Sequence, residues 1–332
     1  MADCLLLYNP AAGKFSAEPF IGGVIHTLRL AGWRVEVAET LNGRHTTQLA
    51  RQAATEGYRA VFAVGGDGTI GQVAGGLVGS QTALGVLPAG TANVWAMELG
   101  LRAFTWTHWR ALRENARLLA EAPTCRIDIG LCNSQPFIMW AGIGLDAITV
   151  HKLEPRKRFE KYLAVAQYAA TTIWSATIWH GMNLHVRADE NEVEGHYLLA
   201  VANNIRHYVG GIAELSPNAY LDDGLMDLWL LTGDNLADAF RHFFDMLAGR
   251  HVNSEHARRI PFRVAQIESE TPFSLQLDGE PMLGAAHATI EVVPNALDIL
   301  APPGAARLMC KNMGLAPQNR FQVQSAGDEA NN

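Results

Sequence analysis

Apolar and polar positions change period repeatedly along the first hundred residues. Compact or alternating apolar runs at Leu5 to Tyr8, Arg34 to Glu39, Arg59 to Val64 and Ala83 to Leu87 read as strands. Between them, Ala17 to Ala31, Gln48 to Glu56 and Ile70 to Val78 repeat apolar residues at helical spacing. The last stretch sets Ile70, Val73, Ala74, Leu77 and Val78 on one face. Gly, Pro or Asn marks each switch. This alternation predicts a parallel sheet with helices on both sides, whose ligands bind beyond the carboxyl ends of the strands.

From about Arg126 the pattern becomes short strands separated by turns. They are read at Ile127 to Ile129, Pro136 to Ala141, Asn183 to Val186, His196 to Ala202, Met226 to Leu231, Arg263 to Ser269, Phe273 to Leu277 and Thr289 to Val293. Such spacing predicts an antiparallel sandwich, interrupted by helices at Phe159 to Ser175 and Leu236 to Leu247. The fold class is therefore α/β plus β, with residues 1–125 as an α/β domain and 126–294 as a β-sandwich. The polar segment Pro317 to Asn332 reads as a disordered tail, set at residues 313–332.

Composition narrows the function. The 332 residues are 48% hydrophobic and 18% charged, enough for two cores, and a net charge of -7 supplies no broad cationic surface for nucleic acid. The four cysteines, Cys4, Cys125, Cys132 and Cys310, form no Cys-x-x-Cys pair and read as reduced and buried in a cytoplasmic protein. Tyr162 to Val186 carries no Asp, Glu, Lys or Arg. Eight polar residues dilute it, among them Gln167, His180 and His185, so it reads as a buried helix plus strand rather than a membrane span. The histidines read as structural.

Gly65-Gly66-Asp67-Gly68-Thr69 follows the Arg59 to Val64 strand and precedes a helical pattern. Glycines let such a loop expose backbone N–H groups, and a helix N-terminus attracts an anion. Asp67 would repel a polyphosphate unless a cation or water lies between them, so the loop points to nucleotide plus metal. Asn9-Pro10-Ala11-Ala12-Gly13-Lys14 and Pro88-Ala89-Gly90-Thr91-Ala92-Asn93 follow two further strands at the same sheet edge. Backbone N–H groups of the three loops, with the Thr69 and Thr91 hydroxyls, could hold a triphosphate. In the second half, Leu221-Asp222-Asp223-Gly224-Leu225-Met226-Asp227 and Leu277-Asp278-Gly279-Glu280-Pro281 set carboxylates beside glycines, as either hairpin turns or a magnesium and base site.

Together these segments, with Ala141-Gly142-Ile143-Gly144-Leu145-Asp146 and Ser216-Pro217-Asn218-Ala219, resemble the diacylglycerol kinase catalytic-domain family, which includes bacterial lipid kinases and sphingosine kinases. The resemblance spans about Leu5 to Pro302. It implies an N-terminal ATP-binding domain of the phosphofructokinase and NAD kinase type, completed by residues 295–312, with the active site in the cleft between it and the sandwich. It further implies ATP contacts at Asn9, Pro10, Ala11, Ala12, Gly13, Thr40, Gly65, Gly66, Asp67, Gly68, Thr69, Ile70, Gly71 and Thr91. Magnesium falls on the carbonyls of Tyr220 and Leu225 and the carboxylate of Asp223. Asp278 and Glu280 match the catalytic pair, and Asp67 joins them through a magnesium and water network; which of the pair is the base stays open. Strand parity would face both toward the cleft. Ala92 stands where many relatives have glycine, so that loop is expected to approach the nucleotide less closely. Trp95, Trp106 and Trp109 are read as packing residues.

The implied activity is ATP-dependent phosphorylation of a lipid hydroxyl by a cytoplasmic, peripherally membrane-associated enzyme. The acceptor, whether diacylglycerol, phosphatidylglycerol, a sphingoid base or another lipid alcohol, is not written in the motifs, and a homodimer stays open. Lys152, Arg156, Lys157, Arg158 and Lys161, against Glu154 and Glu160, form a basic patch expected at the mouth of the lipid cleft. Two other readings compete. An NAD kinase shares the Gly-Gly-Asp-Gly-Thr loop but not the Pro-x-Gly-Thr or Asp-Gly-Glu segments. A non-catalytic lipid- or nucleotide-binding regulator predicts a decayed acidic site.

Overall fold

The computed structural model describes residues 3–13, 15–153 and 179–311. The first strand, β1 (Cys4–Tyr8), lies parallel to β2 (Val35–Glu39) on one side and β3 (Ala60–Gly65) on the other, and β4 (Ala83–Pro88) extends the sheet beyond β3. Helices α1 (Glu18–Leu30), α2 (Gly43–Thr55) and α3 (Asp67–Leu77) connect these strands. Every residue of β3 and β4 is buried, as expected of central strands covered on both faces. Two short helices follow, α4 (Val94–Glu98) and α5 (Ala111–Ala120).

The second half is antiparallel. It contains β5 (Thr124–Cys132), β6 (Gln135–Phe137), β7 (Trp140–Gly144), helix α6 (Leu145–Leu153), β8 (Met182–Ala188), β9 (Asn191–Asn203), the short pair β10 (His207–Tyr208) and β11 (Ala213–Glu214), and β12 (Met226–Thr232). Helix α7 (Leu236–Leu247), β13 (Ala257–Phe262), β14 (Val264–Leu277), β15 (Glu280–Leu300) and α8 (Pro303–Met309) complete it. A separate apolar cluster, including Val186, Leu228, Phe262, Ile267 and Ile290, fills this half.

One strand joins the halves. The 21-residue β15 pairs antiparallel with β14 at its start and with β5 along its second half, and Ile299 finally pairs parallel with Leu84 of β4. Its register slips between Val293 and Leu297, where Asn295 takes a φ of +51°. The result is a continuous 13-stranded sheet in the order β13-β12-β9-β7-β14-β15-β4-β3-β1-β2, with β5, β6 and β8 branching from it.

Several elements differ from their sequence expectations. Helix α2 begins at Gly43 rather than Gln48, because the Asn42 side chain accepts the His45 N–H and caps a polar first turn that apolar periodicity cannot show. The strand expected at Pro136 to Ala141 is broken at Ile138 and Met139, whose N–H groups go to the Asp278 carboxylate instead of a ladder. The expected strands at 263–269 and 273–277 are one strand with register shifts, β14. Trp95 is fully buried, whereas Trp106 is 72% exposed and does not pack in the core. The four cysteines are buried and free. The helix expected at 159–175 and the tail at 317–332 lie outside the described residues, as do Lys14, Arg156, Lys157, Arg158 and Lys161. No helix among the described residues is long and apolar enough to cross a membrane.

Candidate active site

Three loops leave the carboxyl ends of β1, β3 and β4, and glycines let them touch. A Cβ on Gly90 would lie 2.3 Å from the Gly66 Cα, and one on Gly13, at φ +66°, would lie 2.1 Å from the Ala89 carbonyl oxygen. No side chain fits either place. The Asn9 carboxamide then ties the first loop to the second: its Oδ1 accepts the Ala11 N–H, and its Nδ2 donates to Thr69 Oγ1 at 3.1 Å. The Thr69 hydroxyl is therefore a strut between loops as well as a polar group of the site. Asn93, left-handed at φ +55°, closes the third loop by accepting the Gly90 N–H and donating to the Gly90 carbonyl. Ala92 is half-buried against the main core, and Thr91 is exposed.

Thr40 arrives beside these loops at the end of β2, buried, its N–H given to the Tyr8 carbonyl. Ile70 sits in the first turn of the helix that follows β3, its side chain wholly buried in the core and its N–H given to Gly66 O.

The Gly-Gly-Asp-Gly-Thr segment is not all loop. Gly65 ends β3, Gly66 is the N-cap, and Asp67 is the first residue of α3. Its carboxylate turns toward the start of α4, where Oδ1 accepts the Trp95 N–H at 3.1 Å. Burial raises the Asp67 carboxyl above its ordinary value, against the lowering effect of the Trp95, Val94 and Asn93 N–H groups. Asp67 thus serves as a helix cap, a role the magnesium and water network read from the sequence did not include.

Asp278 and Glu280 sit against the first turns of α3, but strand parity does not put them there. Asp278 and Gly279, at φ +50° and +86°, form the two-residue turn between β14 and β15, the conformation that Asp-Gly hairpins favour. The Asp278 carboxylate folds back under three backbone donors. Oδ2 accepts from Ile138 N at 2.8 Å, and Oδ1 from Met139 N at 2.8 Å and Trp140 N at 3.0 Å. Burial pushes this carboxyl up to about 6, with the nearby Asp67 charge adding to the rise and the three N–H groups opposing it. A Cβ on Gly71 would lie 3.7 Å from Asp278 Oδ2, and one on Gly68 3.1 Å from Glu280 Oε1. The glycine-lined first turns of α3 therefore meet both carboxylates, although about 200 residues separate them in sequence.

Sequence reasoning missed the residues that hold this turn. Gln276, fully buried, accepts the Gly279 N–H on Oε1 at 2.7 Å and donates from Nε2 to Asp146 Oδ2 at 2.6 Å. A Cβ on Gly142 would lie 2.3 Å from that Asp146 oxygen, which explains the glycine in Ala141 to Asp146. Asp128 is also fully buried. Its two oxygens accept the N–H groups of Gly224 and Asn295, each at 2.7 Å, joining the acidic turn to the irregularity in β15. A carboxylate flanked by Ile127 and Ile129 in a central strand was the available signal.

The acidic turn holds Tyr220, Asp223 and Leu225 together beside a polar cavity of about 150 Å³, also lined by Asn203, Asn204 and Asp227. The buried Asn203 Oδ1, Asn204 Oδ1 and Asp227 Oδ2 have no hydrogen-bond partner there. Unpaired oxygens, carbonyls and a carboxylate are the donor set of a hard cation such as magnesium, so the residues fit one. Asp223 is already engaged, however: Oδ1 accepts the Leu225 N–H, and Oδ2 accepts from Lys311 Nζ at 2.9 Å. No group of three His, Cys, Asp or Glu poised for a metal occurs among the described residues.

Comparison with known proteins identifies the family and the fold. Residues 3–130 match the diacylglycerol kinase catalytic domain, and residues 141–301 match the YegS C-terminal NAD kinase beta sandwich-like domain. The protein named probable lipid kinase YegS-like from Chromohalobacter salexigens is 31% identical over 92% of this chain and 95% of its own length. The diacylglycerol kinase of Bacillus subtilis is 27% identical over 84% of this chain and 90% of its own. In fold, a diacylglycerol kinase from Bacillus anthracis superposes with a TM-score of 0.68 at 19% identity, covering 92% of this chain and 98% of that one. An NAD kinase from Archaeoglobus fulgidus, solved with ATP, gives 0.52 at 12% identity over 92% and 96%. The chain belongs to the lipid kinase family built on the diacylglycerol kinase catalytic domain, and is a kinase.

Proposed function

We propose that this kinase transfers the γ-phosphoryl group of ATP to a hydroxyl of diacylglycerol or a related lipid alcohol, with Asp278 as the base. The observation that carries the reading is the seating of the Asp278 turn against Gly68 and Gly71, beside three glycine loops that present backbone N–H groups.

The glycine loops bind and orient the phosphates, and the α3 N-terminus faces their charge. Asp278 has four acceptor lone pairs, of which the three N–H groups take two on Oδ1 and one on Oδ2. The remaining Oδ2 position, on the side of Gly71, accepts the proton of the attacking hydroxyl. As the new O–P bond forms, the bond from the γ-phosphorus to the β-phosphate oxygen breaks, and ADP leaves. The proton transfer comes late, because a lipid alcohol is far too weak an acid to ionise beforehand. Glu280, beside Gly68, lies toward the phosphate side. Magnesium, when bound, supplies charge neutralisation; Tyr220, Asp223 and Leu225 would hold one ion through carbonyl and carboxylate oxygens. The acceptor is met at a membrane surface, with the chain bound peripherally.

The test is incubation of the purified protein with labelled ATP, magnesium and a panel of lipid alcohols, followed by separation of the products. Transfer to a lipid that is lost in Asp278→Asn supports the reading. Transfer to NAD, or to no acceptor, overturns it.

A further inference from the structure

We propose that Lys311 is a built-in competitor for cations at the acidic turn, so that a divalent ion binds Asp223 only by displacing the Lys311 ammonium. The inference concerns occupancy of the turn and stands apart from the choice of lipid acceptor.

The segment after α8 is laced onto the turn. The Leu221 N–H donates to the Met309 carbonyl at 2.7 Å, and the Lys311 N–H donates to Asp222 Oδ1 at 2.7 Å. This places the Lys311 ammonium 2.9 Å from Asp223 Oδ2 and 4.4 Å above the centre of the Tyr220 ring. Tyr220 and Asp223 are two of the three residues that would hold a metal. The ammonium therefore holds the carboxylate that a cation would use, with the Tyr220 ring as its second neighbour.

Charge and donor count favour a stronger cation than lysine. Asp128 accepts the Gly224 N–H beside Asp222 and Asp223, whose charges reach it, while Asp227 is matched by Arg259 at 2.8 Å. One ammonium leaves this cluster negative. The unpartnered oxygens of Asn203, Asn204 and Asp227 are nine-tenths buried or more and line the same cavity, where Nζ satisfies none of them. A hydrated divalent ion gives such oxygens partners through its waters and neutralises two charges. Lys311 is 48% exposed, so its release costs little burial. A half-exposed ion pair with a ring contact should weaken a competing cation by roughly three- to thirtyfold.

The test is calorimetric titration of manganese(II) into the metal-free full chain, without nucleotide or lipid. Lys311→Met should bind the ion three- to thirtyfold more tightly than the wild type, Lys311→Arg should stay within about twofold of it, and Asp223→Asn should abolish binding. Equal or weaker binding by Lys311→Met overturns the proposal, as does the absence of binding in both proteins. In the wild type, acetylation of Lys311 by an activated ester, followed by mass spectrometry, should accelerate when manganese saturates the protein. An unchanged rate at calorimetrically saturating ion overturns it equally. Failure of lipid phosphorylation would leave both readouts intact, so the two ideas fail separately.

Discussion

Asp278 combines two demands that oppose one another. Its carboxyl is pushed up to about 6 by burial, from an ordinary value of 3.8. A carboxyl raised in the folded state contributes stability below the unfolded value, near pH 3.8, and that contribution is lost as pH rises through the folded value. At neutral pH the ionised form costs about 2 to 3 kcal/mol. The stability of Asp278→Asn relative to wild type should therefore rise by about that amount between roughly pH 4 and pH 7, measured by urea unfolding. As the base, Asp278 must be ionised, so kcat/KM should fall below an apparent pKa near 6. Glycine positions give a contrasting pair. Gly90→Ala drives a methyl into the Gly66 backbone and should remove nucleotide binding, whereas Gly68→Ala meets only the end of the Glu280 side chain and should reduce turnover while sparing affinity. Gly90 was legible as a loop residue from sequence, whereas Gly68, read as loop, lies in the first turn of α3. The Gln276, Asp128 and Asp146 contacts were not legible, because a polar residue inside an apolar segment does not disclose its partner.

Helix α4 is only five residues long, yet its ends tie α3 to the segment around His207. Asp67 caps its start, and Glu98 ends it with 2% exposure. Glu98 Oε1 accepts the His207 N–H at 2.7 Å and the ring Nδ1 at 2.8 Å, and Oε2 accepts Arg206 Nε at 3.1 Å. Burial would raise Glu98, but the His207 hydrogen bonds and the Arg206 charge hold it below the ordinary 4.5; the hydrogen bond to Glu98 raises His207 above 6.5. The signs are opposite. Glu98 contributes above about pH 4.5 and fades as pH falls through its lowered value, while His207 contributes below about pH 6.5 and fades as pH rises through its raised value. The clamp is therefore strongest between those limits. Glu98→Ala should cost about 3 kcal/mol because the half-buried Arg206 and His207 lose their carboxylate. Scanning Tm against pH should show the variant's deficit narrowing on both sides of that window. Sequence periodicity located α7 at its observed bounds, since its apolar stripe is long, but a five-residue helix carries too few positions to show one.

At the scale of the molecule, the change from alternating strands and helices to short antiparallel strands was visible in the sequence. The continuity of the sheet was not. The expected strand at Thr289 to Val293 extends in both directions into β15, because its pairing partners change along its length and no single hydrophobic period describes it. The irregularity at Asn295 is held by Asp128 below its N–H and by Arg126, whose Nε donates to the Asn295 carbonyl at 2.6 Å. Asp128→Ala should cost about 2 to 4 kcal/mol by stranding the Gly224 and Asn295 N–H groups. Hydrogen exchange should quicken in both the acidic turn and the crossing of β15, whereas a purely local defect would affect only one.

The pairing of Leu84 with Ile299 also imposes an order of events during synthesis. The outer edge of β4 is made early, but the strand that covers it leaves the ribosome only after the entire antiparallel half. Until then, a wholly buried row of residues in the mature protein is an open strand edge, able to pair with another nascent chain. A chain stopped at Pro294 would keep that edge permanently and should aggregate, however well its two sets of apolar residues collapse.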